Sequence, residues 1–278
     1  MRCFTLGFLL LFIIVNAQET DSTFYKWIPS AIAGLNISQI SFKNWQKGGD
    51  NSLSWTVTSD LELKYKTENW KLVNKFKAAF GRTKLGGNNY RTNDNDLFFE
   101  TVYSYNIGWE VNPFVSNSFR STITEGFDYE QTPIEKTADF LDPGYVTQSI
   151  GFTYDKAENF TTRLGVAFQE VFTNEMTQYT DDPNTARIEK FKMETGIEPV
   201  TEGQAEVMEN ILYKGKLRLF SRFESLDVWD VRWDNVFVAK VNSVINVNFS
   251  FLLIYEKEES IRTQMKETLQ VGIVYRII

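Results

Sequence analysis

Residues 51–67 read Asn-Ser-Leu-Ser-Trp-Thr-Val-Thr-Ser-Asp-Leu-Glu-Leu-Lys-Tyr-Lys-Thr, and where the apolar side chains fall in that run decides the fold. Leu53, Trp55, Val57, Leu61, Leu63 and Tyr65 take odd positions; Ser54, Thr56, Thr58, Asp60, Glu62, Lys64 and Lys66 take the even ones. Successive side chains of a strand point to opposite faces, so a period of two predicts a strand with one apolar and one polar face. Roughly thirteen residues is long against the usual five or six of soluble sheets. It suits a tilted strand that crosses a bilayer.

The alternation recurs along the chain. Around 70–83, Leu72, Phe76, Ala78 and Phe80 oppose Lys71, Lys75 and Lys77. Around 97–109, Leu97, Phe99, Tyr103, Tyr105, Ile107 and Trp109 oppose Glu100, Ser104 and Asn106. Around 111–124, Val111, Val115, Phe119 and Ile123 oppose Asn112, Ser116, Ser118 and Arg120. Val146 to Tyr154 and Phe160 to Phe172 give two more strands. Ile211, Tyr213, Leu217, Leu219 and Phe223 then oppose Lys214, Lys216, Arg218 and Arg222. Trp229, Val231, Trp233 and Phe237 oppose Asp230, Arg232, Asp234 and Lys240. Strands at 245–255 and 269–277 follow the same rule. In 31–45 the phase slips between Ile37 and Ile40, which reads as a bulge. In 187–203 the pattern is weak around Pro199, which lacks the N–H that a ladder needs. Counting both segments gives about twelve strands.

Short connections near 67–69, 107–110, 156–159, 204–209 and 240–244 alternate with mostly longer ones near 46–50, 84–95, 125–144, 174–186, 224–227 and 256–263. Short turns at one rim and long loops at the other describe an outer-membrane barrel, and an even strand count puts both termini on the periplasmic side.

The start of the chain fits that address. Arg2, the apolar run Leu6 to Val15 and then Val15-Asn16-Ala17 make a secretory signal peptide with cleavage expected after Ala17. The expected organisation is a signal peptide at 1–17, a periplasmic lead-in at 18–29 and a barrel at 30–278. The one cysteine, Cys3, leaves with the signal, and the chain has no histidine. Ser-His and Cys-His nucleophile systems and His- or Cys-based zinc sites are thereby excluded, as are disulfides in the mature chain. The net charge is -7, or -8 once Arg2 is removed, and no basic tract suggests nucleic acid.

A soluble sandwich or lipocalin-like barrel shows the same alternation with its apolar face turned inward. Strand length, mid-strand charges and aromatic placement favour the membrane. The expected lumen wall comprises Asp60, Glu62, Lys64, Glu100, Arg120, Lys214, Lys216, Arg218, Arg222, Asp230, Arg232 and Asp234. Trp45, Tyr65, Trp109, Tyr154, Trp229, Tyr255 and Tyr275 are expected at the two membrane interfaces. The fold class is thus all-β, a transmembrane antiparallel barrel.

Several motifs carry a family resemblance. They are Asn44-Trp45-Gln46-Lys47-Gly48-Gly49-Asp50-Asn51-Ser52, Phe140-Leu141-Asp142-Pro143-Gly144-Tyr145, Leu217-Arg218-Leu219-Phe220-Ser221, Val231-Arg232-Trp233-Asp234-Asn235, Lys240-Val241-Asn242, Leu253-Ile254-Tyr255 and Glu267-Thr268-Leu269-Gln270-Val271-Gly272. In that order they resemble a Bacteroidetes-type outer-membrane β-barrel family known only as a domain of unknown function. The resemblance implies fold and location and brings no activity. The chain departs from the usual terminal aromatic of such barrels, ending Tyr275-Arg276-Ile277-Ile278.

Gly48-Gly49-Asp50 reads as a turn that needs positive φ, and Asp94-Asn95-Asp96 as a solvated loop rather than a calcium site. The lumen carboxylates read as partners of lumen cations rather than as acid and base. The long loops at 125–144 and 174–186 suit a lumen plug or a partner surface. The expectation is a non-enzymatic barrel without metal or cofactor: a narrow pore, or a structural and partner-binding barrel. It would sit among outer-membrane lipids, with another envelope protein complex as a candidate partner. Alternatives are a carboxylate-dependent outer-membrane enzyme on lipid or saccharide, and a soluble ligand-binding barrel.

Overall fold

The computed structural model describes residues 24–276 apart from 44, 45, 47, 48, 130, 158 and 258–261. The signal-peptide run, residues 18–23 of the lead-in, Trp45, Gly48 and the side chain of Tyr275 lie outside the described residues.

The strands are β1 (Trp27–Ile40), β2 (Ser52–Lys66), β3 (Trp70–Leu85), β4 (Arg91–Tyr105), β5 (Asn112–Ser121), β6 (Gly126–Asp128) and β7 (Glu135–Ala138). They continue as β8 (Gly144–Ala157), β9 (Phe160–Phe172), β10 (Phe191–Met208), β11 (Ile211–Arg222), β12 (Asp230–Lys240), β13 (Ile245–Tyr255) and β14 (Gln264–Arg276). Twelve of them form a closed antiparallel barrel in which each pairs with the next and β14 returns to β1. β5 pairs with β8 because β6 and β7 leave the wall as a separate two-stranded hairpin. Closure removes most of the free sheet edge that hydrocarbon would not tolerate. No helix among the described residues is long and apolar enough to cross a membrane.

The wall is polar inside and apolar outside. Val57, Leu61, Ile150, Phe152, Leu164 and Val166 lie exposed on its outer surface, while Asn36, Thr56, Glu100, Ser149, Arg163 and Glu198 are buried. A barrel in water would reverse this order, so the outward face is built for lipid.

Aromatic side chains gather toward the strand ends. Near the short-turn rim, Trp27, Tyr65, Trp70 and Tyr103 form a run of ring contacts across four neighbouring strands, with centroids 4.9, 5.0 and 5.9 Å apart. Toward the long-loop rim, Phe172 meets Phe191 at 5.1 Å and Trp55 meets Phe80 at 5.6 Å. Aromatic rings at these depths suit the girdles at the two interfaces of a bilayer.

The elements differ from the sequence reading in particular places. β1 begins at Trp27, inside the segment read as lead-in, and pairs with β2 without a break from Trp27↔Tyr65 to Ile40↔Ser52. The expected bulge is therefore absent from β1, and Ile40 falls out of phase because the strand ends there. A register shift occurs instead between Gly81 and Arg82 of β3. β4 begins at Arg91, so Asp94-Asn95-Asp96 is wall rather than loop, and Ile107 and Trp109 belong to the following turn. Ile123, Phe223 and Trp229 also fall outside the strands. Pro199 lies within β10, the longest strand; pairing with β11 lapses between Ile197↔Ser221 and Val200↔Arg218, so the missing N–H breaks no ladder bond there.

Candidate functional site

The lumen holds the densest chemistry of the molecule. Every side chain expected there lies on the inward phase of its strand: Asp60, Glu62 and Lys64 on β2, Glu100 on β4 and Arg120 on β5. Lys214, Lys216, Arg218 and Arg222 follow on β11, with Asp230, Arg232 and Asp234 on β12. Ion pairs join walls that are far apart around the barrel. Lys75 Nζ of β3 reaches Glu202 Oε1 of β10 at 2.6 Å and stands 3.9 Å from Glu62. Lys216 Nζ of β11 donates to Glu100 Oε2 of β4 at 3.0 Å. Arg163 of β9 pairs with the other oxygen of the same carboxylate. Glu62, Lys75 and Glu100 occupy one register row across β2, β3 and β4, so the crossing pairs gather near one depth.

Further layers lie on either side. Toward the short turns, Asp155 accepts from Ser104 and Asn112 at 3.1 and 3.0 Å and stands 3.5 Å from Lys71. Toward the long loops, Arg218 donates to Glu198 at 2.7 Å and to Gln169 at 2.8 Å. Arg222 bridges Glu194 at 2.6 Å and Asp230 at 2.9 Å. Buried charges need this compensation, because water no longer supplies it. Arg120 meets Asp96 at 2.6 Å, Arg232 meets Asp234 at 3.1 Å, and Lys77 lies 3.8 Å from Asp60.

Three apolar rings lie buried among these charges: Phe98, Phe114 and Phe220. Arg120 and Lys216 sit 4.6 and 4.8 Å from the Phe98 centroid, and Arg218 and Arg222 sit 5.5 and 5.8 Å from that of Phe220. The rings hold the cations by their quadrupoles and exclude water around the pairs. A cavity of about 160 Å³ remains above the Glu100 row, lined in part by Phe98, Arg120, Arg163, Glu198, Lys216 and Arg218.

The two longest connections are tied to each other at the long-loop rim. Lys136 of β7 contacts Asp139 at 2.6 Å, Glu175 at 3.1 Å and Glu125 at 3.3 Å. These bonds raise the Lys136 amine above its ordinary range, and Lys136 holds the Asp139 carboxyl below its own. Buried Asp142 accepts backbone N–H bonds from Asn174, Glu175 and Met176 at 3.1, 2.6 and 3.2 Å. Tyr179 donates to the Thr137 carbonyl at 3.1 Å. No group of three or more His, Cys, Asp or Glu suited to a metal ion occurs among the described residues.

Of the expected interfacial aromatics, Tyr65 belongs to the ring run at the short-turn rim, and Tyr154 lies near the same end of β8. Trp109 sits in the turn after β4, largely exposed. Trp229 immediately precedes the long-loop end of β12, and Tyr255 closes the long-loop end of β13. The backbone of Tyr275 pairs with Ala33 near the short-turn rim. Gly49 has φ of +126°, the conformation expected of its turn. The sequence reading omitted Arg163, Glu194, Glu198 and Glu202 from the lumen. Carrying the alternation of β8 through β9 and β10 places all four inward, but Pro199 obscured that phase. The inward Phe98, Phe114 and Phe220 break the polar rule and left no such signal.

Residues 37–127 match the model of a family described as proteins of unknown function (DUF3078). That stretch takes in the end of β1 and all of β2 to β5, and leaves out the late-strand motifs. Among solved structures, the chain is similar to the translocator domain of the autotransporter NalP from Neisseria meningitidis, with 10% identity, 90% of this chain and 88% of that chain covered, and a TM-score of 0.36. It is similar to the COG4313 outer membrane channel from Pseudomonas putida F1, with 11% identity, 93% and 99% covered, and a TM-score of 0.38. It is also similar to the β domain of the Bordetella autotransporter BrkA, with 9% identity, 90% and 98% covered, and a TM-score of 0.29. No curated protein matches the chain significantly.

Proposed function

We propose that this is an outer-membrane barrel whose lumen is closed to solutes at mid-depth, and that it works as a structural or partner-binding element of the envelope. The cross-lumen contact of Lys75 with Glu202, beside that of Lys216 with Glu100, carries the reading. Barrels of roughly eight strands are filled by side chains and those of roughly sixteen leave a channel. Here charged and aromatic side chains fill a lumen of intermediate width. The lipid-type outer face and the signal-like start of the chain support the outer membrane as its place, with outer-membrane lipids as neighbours. Vesicles containing the protein should exclude arabinose in a swelling assay; swelling at porin-like rates would reject the closed lumen.

The narrow-pore reading keeps one observation in its favour, the polar lumen wall on all sides of the constriction. The barrel is further proposed to be non-enzymatic. Each buried lumen carboxylate among the described residues, namely Glu100, Glu194, Glu198 and Asp230, faces a cation that holds it as a charge partner. Hydrolysis of envelope lipid or saccharide that disappears on Glu198→Gln would overturn this.

A further inference from the structure

The barrel closes through an incomplete seam. β1 pairs with β14 only from Ile32↔Arg276 to Asn36↔Gly272. Beyond Gly272 toward the long-loop rim, β14 pairs with β13 as far as Ile254↔Gln264, but among the described residues its other edge pairs with no strand. Among the described residues, Ile37 to Ile40 of β1 likewise pair with β2 alone. The two strands thus part over the long-loop half of the wall. The outer side of the parting carries Leu269, 73% exposed, with Val271 and Ile37 beside it.

The lumen side of the same parting differs from the rest of the lumen. Among the described residues it holds one ion pair, Lys266 with Asp94 at 2.8 Å, and is otherwise lined by neutral hydroxyls and amides. Thr83 Oγ1 and Asn93 Nδ2 each donate to Ser54 Oγ at 2.7 Å, and Gln270 Nε2 reaches Thr56 Oγ1 at 3.4 Å. An unpaired strand edge also exposes N–H donors and C=O acceptors, which hydrocarbon leaves unsatisfied at a cost of several kcal/mol each. A hydroxyl both donates and accepts, so it serves both groups; a phosphate oxygen only accepts.

We propose that the parting between β1 and β14 is a side entrance for a glycolipid-type amphiphile. Its hydroxyl-rich head lies in the lumen near Ser54, Thr56 and Gln270, and its chain lies outside against Leu269 and Val271. The outer half of this slot is continuous with the lipid-facing surface, which supplies the ligand directly. The slot lies nearer the long-loop rim than the Glu100 row, so it stands or falls separately from the closed lumen.

The test uses the full protein in phosphatidylcholine vesicles with a trace of glucosyl diacylglycerol bearing a diazirine on its sugar. A phosphatidylcholine with the same diazirine on its head is the comparison. After illumination, the sugar probe should label peptides that contain Ser54, Thr56 or Gln270 at least tenfold more than the choline probe. Equal labelling, or labelling confined to outward Leu269 and Val271, overturns the proposal. A second variant closes the slot. Continuing the register from Asn36↔Gly272 sets residue 38 opposite residue 270, so Ser38→Cys with Gln270→Cys locks the seam on oxidation. Labelling at Ser54 and Thr56 should fall to the choline level and return on reduction. Labelling that survives the lock overturns the proposal, as does a disulfide formed between two copies, which would mean strand addition instead. If the pair resists oxidation, the two head groups decide on the unmodified chain.

Discussion

Lys75 and Glu202 meet at 2.6 Å although four strands separate them around the shorter way of the wall. A contact of this reach ties opposite sides of the barrel together. Removing Glu202 leaves Lys75 with Glu62 at 3.9 Å. Breaking a buried pair by one partner costs about 3–5 kcal/mol, whereas replacing both by apolar groups is often neutral. Glu202→Ala should therefore lower the unfolding free energy of the barrel in vesicles, measured by urea titration, by about 3 kcal/mol. Lys75→Met with Glu202→Leu should recover most of it. Equal losses in the single and the double variant would deny the pair its role.

The outward face should reject charge. Val57 lies exposed near the middle of β2. An arginine on the lipid face near the midplane costs about 2–4 kcal/mol. Val57→Arg should reduce the folded fraction in vesicles accordingly, and Val57→Ile should not. An unchanged folded fraction for Val57→Arg would argue that this face meets water.

One polar pair on the outer wall has a partner-dependent cost. Tyr213, whose ring packs over Gly215, donates to Asn235 Oδ1 at 2.7 Å, and its ring lies 4.9 Å from that of Phe237. Tyr213→Phe strands that acceptor at a cost of about 1–3 kcal/mol, whereas removing both partners is nearly neutral. Asn235→Leu should rescue Tyr213→Phe in equilibrium unfolding. Additive losses would show that the bond contributes little.

The cap at the long-loop rim should depend on Asp142. Asp142→Ala removes the acceptor of three backbone N–H bonds and should speed hydrogen exchange at 174–176 by roughly a hundredfold, about 3 kcal/mol of local opening. Asp142→Asn should fall between. Unchanged protection in Asp142→Ala would place the anchor elsewhere.

The same cap should respond to pH in a definite sense. Lys136 holds the Asp139 carboxyl below its ordinary 3.8, so that contribution is present above 3.8 and fades as pH falls through the lowered value. The Lys136 amine is raised above 10.5 by its bonds to Asp139 and Glu175, so its contribution is present below 10.5 and fades as pH rises through the raised value. Between these limits, proteolysis at 131–139 should be slow and independent of pH, with acceleration on the acid side first at pH values below 4. Both groups are partly exposed, so the effect is small and fades at high salt. Cleavage that changes between pH 5 and 9 would contradict the assignment.

The barrel was legible because alternation is a property of the residues themselves: Val57 and Asp60 declare their faces without reference to any neighbour. Strand ends were less legible. Arg91 to Asp96 reads as loop because it is polar on both phases, yet Asp94 and Asp96 are held in the wall by Lys266 and Arg120 at 2.8 and 2.6 Å. The lumen composition was readable on β2, β11 and β12, where charges crowd one phase. Which charges meet across the lumen was not, since Lys75–Glu202 depends on barrel width and strand stagger. The seam was hidden too: nothing in the sequence of β14 marks Gly272 as the last residue to pair with β1.

The closed lumen is tested most directly by electrical recording in planar bilayers in potassium chloride. The unmodified protein should show no steady conductance steps. Lys75→Ala, Glu202→Ala and Lys216→Ala together remove both crossing lysines and leave Glu100 paired with Arg163, so this variant should show steady steps with a preference for cations. A steady conductance in the unmodified protein that the triple change leaves unaltered would contradict the account.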